Sequence, residues 1–203
     1  MVKFYNNREL SDRLGFNLSR WKRWSREFLP PDPLAGQQAG YARQYYIDHA
    51  FTVYLGGHLV ADLGFSIPQA RWILSECREW MKTCGFHFDP RGNRKPRKGI
   101  DVHIKRYALH ILISPEQRLT LFARGTIGRI DYEYEGYPVF KSVHVDQPIS
   151  PANGLRTESI KAGTEKILCL TDLLEQFRKT LDPDGDFFPG LVEGEVFSMK
   201  AED

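Results

Sequence analysis

The strongest pattern along the chain is a set of apolar residues spaced four apart, which predicts an amphipathic helix. They are Ile47, Phe51, Leu55, Leu59 and Leu63. Residues at this spacing share one side of a helix, so the set forms a single apolar stripe. Gly64 then favours a helix end. Ser66 and Gln69 form a capping box that opens the next helix, with Pro68 in its first turn.

Two shorter helices are predicted before this stripe. Asn6 or Asn7 caps the first helix, which runs to about Leu14 and ends at Gly15. Asn17 caps the second helix, and the prolines at positions 30, 31 and 33 stop it. Residues 34–46 are typical of a loop or short hairpin because they contain glycine turn points.

The pattern changes after position 99 from helical spacing to strands. Four apolar runs at 103–113, 118–123, 127–134 and 139–145 predict an antiparallel meander. Residues 148–165 resemble a loop, and Thr171 or Asp172 then caps a last helix. The sequence therefore predicts an α+β protein with an all-α domain at 1–88, a linker at 89–99 and a small antiparallel-sheet domain at 100–203.

Composition favours a folded protein of the cytoplasm. The 203 residues are 41% apolar, enough for a core. No apolar run approaches the roughly 20 residues of a membrane helix, and the first residues lack the apolar region of a signal peptide. Three cysteines do not form a disulfide framework.

The formal net charge of +2 conceals an asymmetry along the chain. Residues 1–99 contain 16 Lys and Arg against 9 Asp and Glu, whereas residues 100–203 contain 12 against 17. A basic half attracts polyanions. Four of these basic residues lie between Gly15 and Pro31, where a short helix has bulky apolar residues on one side and basic residues on the other.

The order of these elements resembles the winged-helix DNA-binding domain of the MerR family. The resemblance covers about residues 3–80 and rests on five pieces of sequence. These are Arg8–Leu10, Leu14–Phe16, Arg20–Trp24, Gly40–Tyr45 and Leu63–Ile67. The last of these is very close to the Gly-Phe-Ser run that opens the family's fourth helix.

The resemblance implies an N-terminal winged helix-turn-helix domain and a bacterial or phage transcription regulator that binds double-stranded DNA. Lys22 stands where the family places an arginine on the DNA. The residues implied to contact DNA are Ser19, Arg20, Lys22, Arg23 and Arg26 of the second helix, with Tyr41 and Arg43 of the wing. Such cations neutralise phosphates, and arginine also reads guanine edges.

The chain departs from the family after its fourth helix. Its members usually continue into a long dimerising helix, whereas residues 86–96 are interrupted by proline and glycine. The oligomeric state is therefore open, a dimer included. The basic residues of the linker, among them Arg94, Lys95 and Arg97, either contact phosphates or belong to a soluble tether, and both interpretations stay open.

Other functions remain as alternatives. An excisionase-like adaptor that organises a nucleoprotein complex would use the same basic surface. The C-terminal domain is expected to bind a protein partner or a small-molecule effector. An enzyme is the least favoured class, and its only candidate is the alternating set Asp131, Glu133 and Glu135, predicted to share one face of a strand.

We expect no metal and no cofactor. Cys77, Cys84 and His87 lie close in sequence, but the two cysteines fall on the apolar stripe of the fourth helix, where a buried cysteine behaves as a small hydrophobe. The histidines at 103, 110 and 144 lie on predicted strands and are expected to be structural.

Overall fold

The computed structural model describes residues 4–32, 42–84, 104–149 and 163–181. The elements in chain order are β1 Tyr5–Asn6, α1 Asn7–Arg13, α2 Leu18–Phe28, β2 Gln44–Tyr45, α3 Ile47–Ala61, α4 Ile67–Thr83, β3 Ile104–Ile113, β4 Leu119–Tyr134, β5 Tyr137–Pro148, β6 Thr164–Cys169 and α5 Leu170–Leu181. This mixture of helices and antiparallel sheets confirms the α+β class. None of the helices in the described ranges is long and apolar enough to cross a membrane.

The chain divides into two compact units. One comprises residues 1–96 with 173–184, and the other comprises residues 97–172 with 185–203. The division falls inside α5, so most of that helix belongs to the first unit. The boundaries predicted from the sequence, at 88 and 99, instead place the whole of α5 with residues 100–203.

The predicted starts of α1, α2 and α4 are confirmed by their caps, whereas α3 ends at Ala61 and does not reach Leu63. The side chain of Asn6 accepts a hydrogen bond from the Glu9 amide at 2.9 Å, and that of Asn17 accepts from the Ser19 amide at 2.9 Å. The capping box of Ser66 and Gln69 is present at the start of α4. Gly15 adopts a φ of 72°, which explains why glycine stands at the turn between α1 and α2.

Helix α3 is buried on more sides than its predicted stripe. Phe51, Leu55 and Leu59 are buried as expected, but the remaining buried positions are Ala50, Val53, Tyr54, Gly56 and Gly57. A Cβ at Gly57 would lie 2.7 Å from Cζ3 of Trp24, and one at Gly56 would overlap the Phe28 ring. The two glycines therefore let α2 pack closely against α3.

A buried chain of hydrogen bonds joins α1, β2 and α2. The Tyr45 hydroxyl donates to Oδ1 of Asn7 at 2.5 Å and lies 2.6 Å from Oγ of Ser25. Because the tyrosine has only one hydroxyl proton, the serine donates to the tyrosine oxygen. Burial raises the pKa of Tyr45 above its ordinary value, which keeps this donor protonated.

We expect Tyr45→Phe to lower the free energy of unfolding by about 1–3 kcal/mol, because it leaves the Ser25 hydroxyl and the Asn7 carbonyl without their partner. Urea denaturation followed by fluorescence measures the change. The neighbouring Tyr46 is 47% exposed, so Tyr46→Phe is a matched control that should alter stability little. Equal stability of the two variants would contradict the structural role of this chain.

The second unit is built on a four-stranded antiparallel sheet with strand order β5-β4-β3-β6. The predicted meander is confirmed in β3, β4 and β5, with the first turn at residues 114–117. Three predictions were wrong. Helix α5 begins at Leu170, so Thr171 and Asp172 lie inside it and do not cap it. Residues 119–134 form one continuous strand rather than two, and β6 occupies residues 164–169, whose first two positions had been assigned to a loop.

Candidate nucleic-acid interface

Helix α2 divides sharply into a buried side and a basic exposed side. Trp21, Trp24, Ser25 and Phe28 are buried. At about 100° per residue, the spacing i, i+3, i+4 and i+7 places four exposed side chains on the opposite side. They are Ser19, Lys22, Arg23 and Arg26. Arg20 is also exposed and lies on the flank of this group.

The four cations of this helix carry no described counter-charge. Within the described ranges, no carboxylate oxygen lies within 4.0 Å of Arg20, Lys22, Arg23 or Arg26. The single acid of α2 is Glu27, whose carboxylate pairs with Arg71 of α4. The positive charge of Arg71 therefore neutralises Glu27, and the exposed face of α2 remains cationic.

The turn before α2 holds the helix in place through aromatic packing. The Phe16 ring lies 5.2 Å from that of Trp24 and 5.8 Å from that of Tyr54, in edge-to-face arrangements. Such pairs stabilise beyond simple burial. The buried side of α2 is thereby tied to α3, and the basic side is presented on a rigid support rather than on a loop.

Arg43 has a structural contact that the sequence did not reveal. Its Nη2 donates to the Pro30 carbonyl oxygen at 2.7 Å, and its guanidinium lies 5.7 Å from the centre of the Tyr45 ring. The structure therefore places Arg43 beside the C-terminal end of α2. The other predicted contact residues outside α2, namely Tyr41, Arg94, Lys95 and Arg97, lie outside the described residues.

The predicted core role of Cys77 is confirmed. Its side chain is buried within α4, and burial with the nearby Glu76 raises the pKa of the thiol to about 12. A thiol that holds its proton so tightly is a poor thiolate ligand. Cys84 is half-buried at the end of α4, and His87 lies outside the described residues.

The expectation that three carboxylates share one strand face was wrong. A bulge lies between Ile130 and Tyr132, next to Asp131. Glu135 leaves the strand altogether, since it occupies a turn with a φ of 50°. All three acids are exposed. Among the described residues, no group of three or more His, Cys, Asp and Glu side chains is placed to hold a metal ion.

A row of polar pairs crosses one face of the four-stranded sheet. His110 is buried, with Nδ1 2.6 Å from Oε1 of Glu165 on β6, and its ring stacks on Phe122 at 4.6 Å. Arg124 lies two residues after Phe122 on β4. It donates two hydrogen bonds to the carboxylate of Asp146, from Nε at 2.7 Å and from Nη2 at 2.8 Å. The sequence missed this row because β6, which supplies Glu165, was not recognised as a strand.

Histidines 110 and 144 each have a hydrogen-bonding neighbour on the sheet, and His103 lies outside the described residues. The first is satisfied by Glu165, and Nδ1 of the second lies 3.2 Å from Oγ1 of Thr126. Each polar group in the row is occupied by a neighbour on the sheet. The row therefore fits a role in holding strands together better than a role in catalysis.

We expect Arg124→Gln to raise the pKa of Asp146 towards its ordinary value, because hydrogen bonding to Arg124 is the main cause of its depression. Because the pKa of Asp146 is lower in the folded state than in the unfolded state, its carboxylate stabilises the fold at pH values above the unfolded-state pKa. This stabilisation is lost as the pH falls through the folded-state pKa. Carboxyl chemical shifts measured by NMR across the acid range report the change. Arg118→Gln, at an exposed position of the β3–β4 turn, is the control for lost charge, and an unaltered Asp146 titration in Arg124→Gln would refute the assignment.

Comparison with protein-family models, with curated proteins and with solved structures finds no match to this chain.

Proposed function

We propose that the chain is a DNA-binding transcription regulator of MerR-like type, with α2 as its recognition helix. The observation that carries the proposal is the exposed face of α2. Its basic side chains have no acidic partner among the described residues, and the opposite side of the helix packs its aromatic side chains into the core. Such a surface is opposite in charge to the phosphate backbone, and a helix fits the width of the major groove.

The arrangement around α2 supports this proposal. Helices α1 and α2 are joined by a short turn, β1 pairs with β2, and α3 and α4 follow. This order agrees with the order of elements in a MerR-like winged helix. In the proposal, Lys22 and Arg23 face the groove, while Arg20 and Arg26 contact phosphates.

Arg43 has a more limited role in this proposal than the resemblance implied. One guanidinium nitrogen is already engaged with the Pro30 carbonyl. Arginine has five N–H donors, so the group retains capacity for a phosphate. We propose that Arg43 both fixes the end of α2 and contacts the DNA backbone. A regulator of this kind acts in the cytoplasm, where the DNA is accessible.

Selection of bound fragments from a genomic DNA pool tests this function and separates it from an adaptor role. A regulator is expected to enrich fragments that share one short site, and to protect that site from nuclease. An adaptor that binds DNA without sequence preference would enrich no common site. Recovery of fragments at the background level, at low salt where phosphate contacts are strongest, would contradict both roles.

A further inference from the structure

The β4–β5 hairpin extends beyond the part of the sheet that is covered by β3. Strand β3 pairs with β4 from Ile113 opposite Leu119 to Ile104 opposite Ile127. Within the described residues, positions 128–134 of β4 pair only with β5. Every side chain from 131 to 137 is exposed. We call residues 131–137 the ribbon tip.

Three exposed tyrosines share one face of this hairpin. Tyr132 and Tyr134 are two apart on β4, and Tyr137 of β5 lies directly opposite Tyr134. Their exposed fractions are 57%, 63% and 75%. The turn residues Glu135 and Gly136 both have positive φ values, as in the tight hairpin turns that fix strand register. The alignment of the tyrosines is therefore set by the turn.

The charge of the ribbon tip decides what kind of partner fits these rings. Asp131, Glu133 and Glu135 are exposed there, and the segment contains no basic residue. Aromatic rings alone would suit the bases of a nucleic acid. Three carboxylates repel its phosphates, however, and attract cations. Lys141, farther down β5, is the nearest described basic side chain in the register.

We propose that the ribbon tip docks an arginine-containing basic segment of a partner protein. A guanidinium group stacks on tyrosine faces, and other basic side chains of the same segment pair with the carboxylates, of which Glu133 lies on the opposite face from Tyr132 and Tyr134. A second copy of the same hairpin is a poorer occupant, because it brings three more carboxylates. The proposal concerns the second unit and does not depend on DNA binding by the first.

Binding of short labelled peptides to the full chain, measured by fluorescence anisotropy, tests the proposal. A peptide of alternating arginine and glycine is expected to bind, and the matching lysine peptide to bind more weakly, since arginine stacks on rings more effectively. Each change among Tyr132→Ser, Tyr134→Ser and Tyr137→Ser should weaken binding roughly two- to fivefold. Glu133→Gln should weaken it and reduce its dependence on salt.

Two controls separate docking from general attraction between charges. Tyr46→Ser removes an exposed tyrosine of the first unit and should leave peptide binding unchanged. The triple Tyr→Phe variant keeps all three ring faces and should bind as the natural chain does. Full binding by the triple Tyr→Ser variant, or equal affinity for the arginine and lysine peptides, would overturn the proposal.

Discussion

Replacing Lys22 and Arg23 together by alanine is expected to weaken DNA binding by at least about 2 kcal/mol, or about thirtyfold in Kd. Both side chains are exposed on the central part of the basic face of α2. Neither forms an ion pair in the described structure, so their removal breaks no internal contact. The loss should therefore fall on binding and not on stability.

The salt dependence of binding distinguishes two kinds of contact in this variant. Each lost phosphate contact should lower the slope of log K against log salt by about one, whereas a lost base contact should relax sequence preference. Titration of a labelled duplex at several salt concentrations gives both quantities. Arg26→Ala provides a comparison, because we assign that residue to a phosphate and expect a changed slope with unchanged preference.

The matched control is the double variant Arg78→Ala with Arg118→Ala. It removes the same amount of charge from exposed positions on α4 and on the β3–β4 turn. We expect it to bind DNA nearly as the natural chain does. Equal losses in the two double variants would mean that net charge, and not the face of α2, governs binding.

Trp21→Ala is expected to destabilise the first unit by about 3–5 kcal/mol, the usual cost of removing a large ring from a core. Trp21 has an exposed fraction of 0%, and its ring lies 6.2 Å from Phe16 and 6.0 Å from Tyr45. The substitution leaves a cavity beneath the basic face of α2 without altering that face. Thermal unfolding followed by circular dichroism measures the effect.

Trp72→Ala provides the matched comparison for this prediction. Trp72 lies on α4 and is half-buried, so the same change in size should cost clearly less stability. DNA binding by Trp21→Ala should decline only to the extent that the unit unfolds. A Trp21→Ala variant as stable as Trp72→Ala would contradict the packing described for α2.

The helices of the first unit could be predicted from sequence because their signals are local. The caps at Asn6, Asn17 and Ser66 and the turn at Gly15 act within a few residues of the chain. The same holds for the basic face of α2, since helical spacing alone separates its arginines and lysine from its tryptophans. For this reason the exposed positions could be named before the structure was known.

What the sequence could not give depends on contacts between distant segments. Gly56 and Gly57 were not recognised as packing positions, because their role depends on Phe28 and Trp24 of another helix. Arg43 was assigned to DNA alone, since its bond to the Pro30 carbonyl spans 13 residues. Most of α5 belongs to the first unit, although the sequence of the helix does not indicate which unit it packs with.

The second unit shows the same limit for strands. β6 was missed because it is short and one end fell within an apparent loop, so His110 had no visible partner until Glu165 was placed beside it. The carboxylates at 131, 133 and 135 alternate perfectly in sequence. A bulge and a tight turn nevertheless end the alternation in the structure, because period-two reasoning assumes an uninterrupted strand.

The most direct test of the central claim is the affinity of the full chain for pooled genomic duplex DNA at low salt, measured again as salt is raised. If α2 presents its basic face to DNA, binding should be readily detected at low salt and should fall steeply and linearly in log–log form. The double variant Arg20→Ala with Arg26→Ala, which lacks the two side chains assigned to phosphates, should show a shallower fall. Undetectable binding at low salt, with the first unit shown to be folded, would contradict the account.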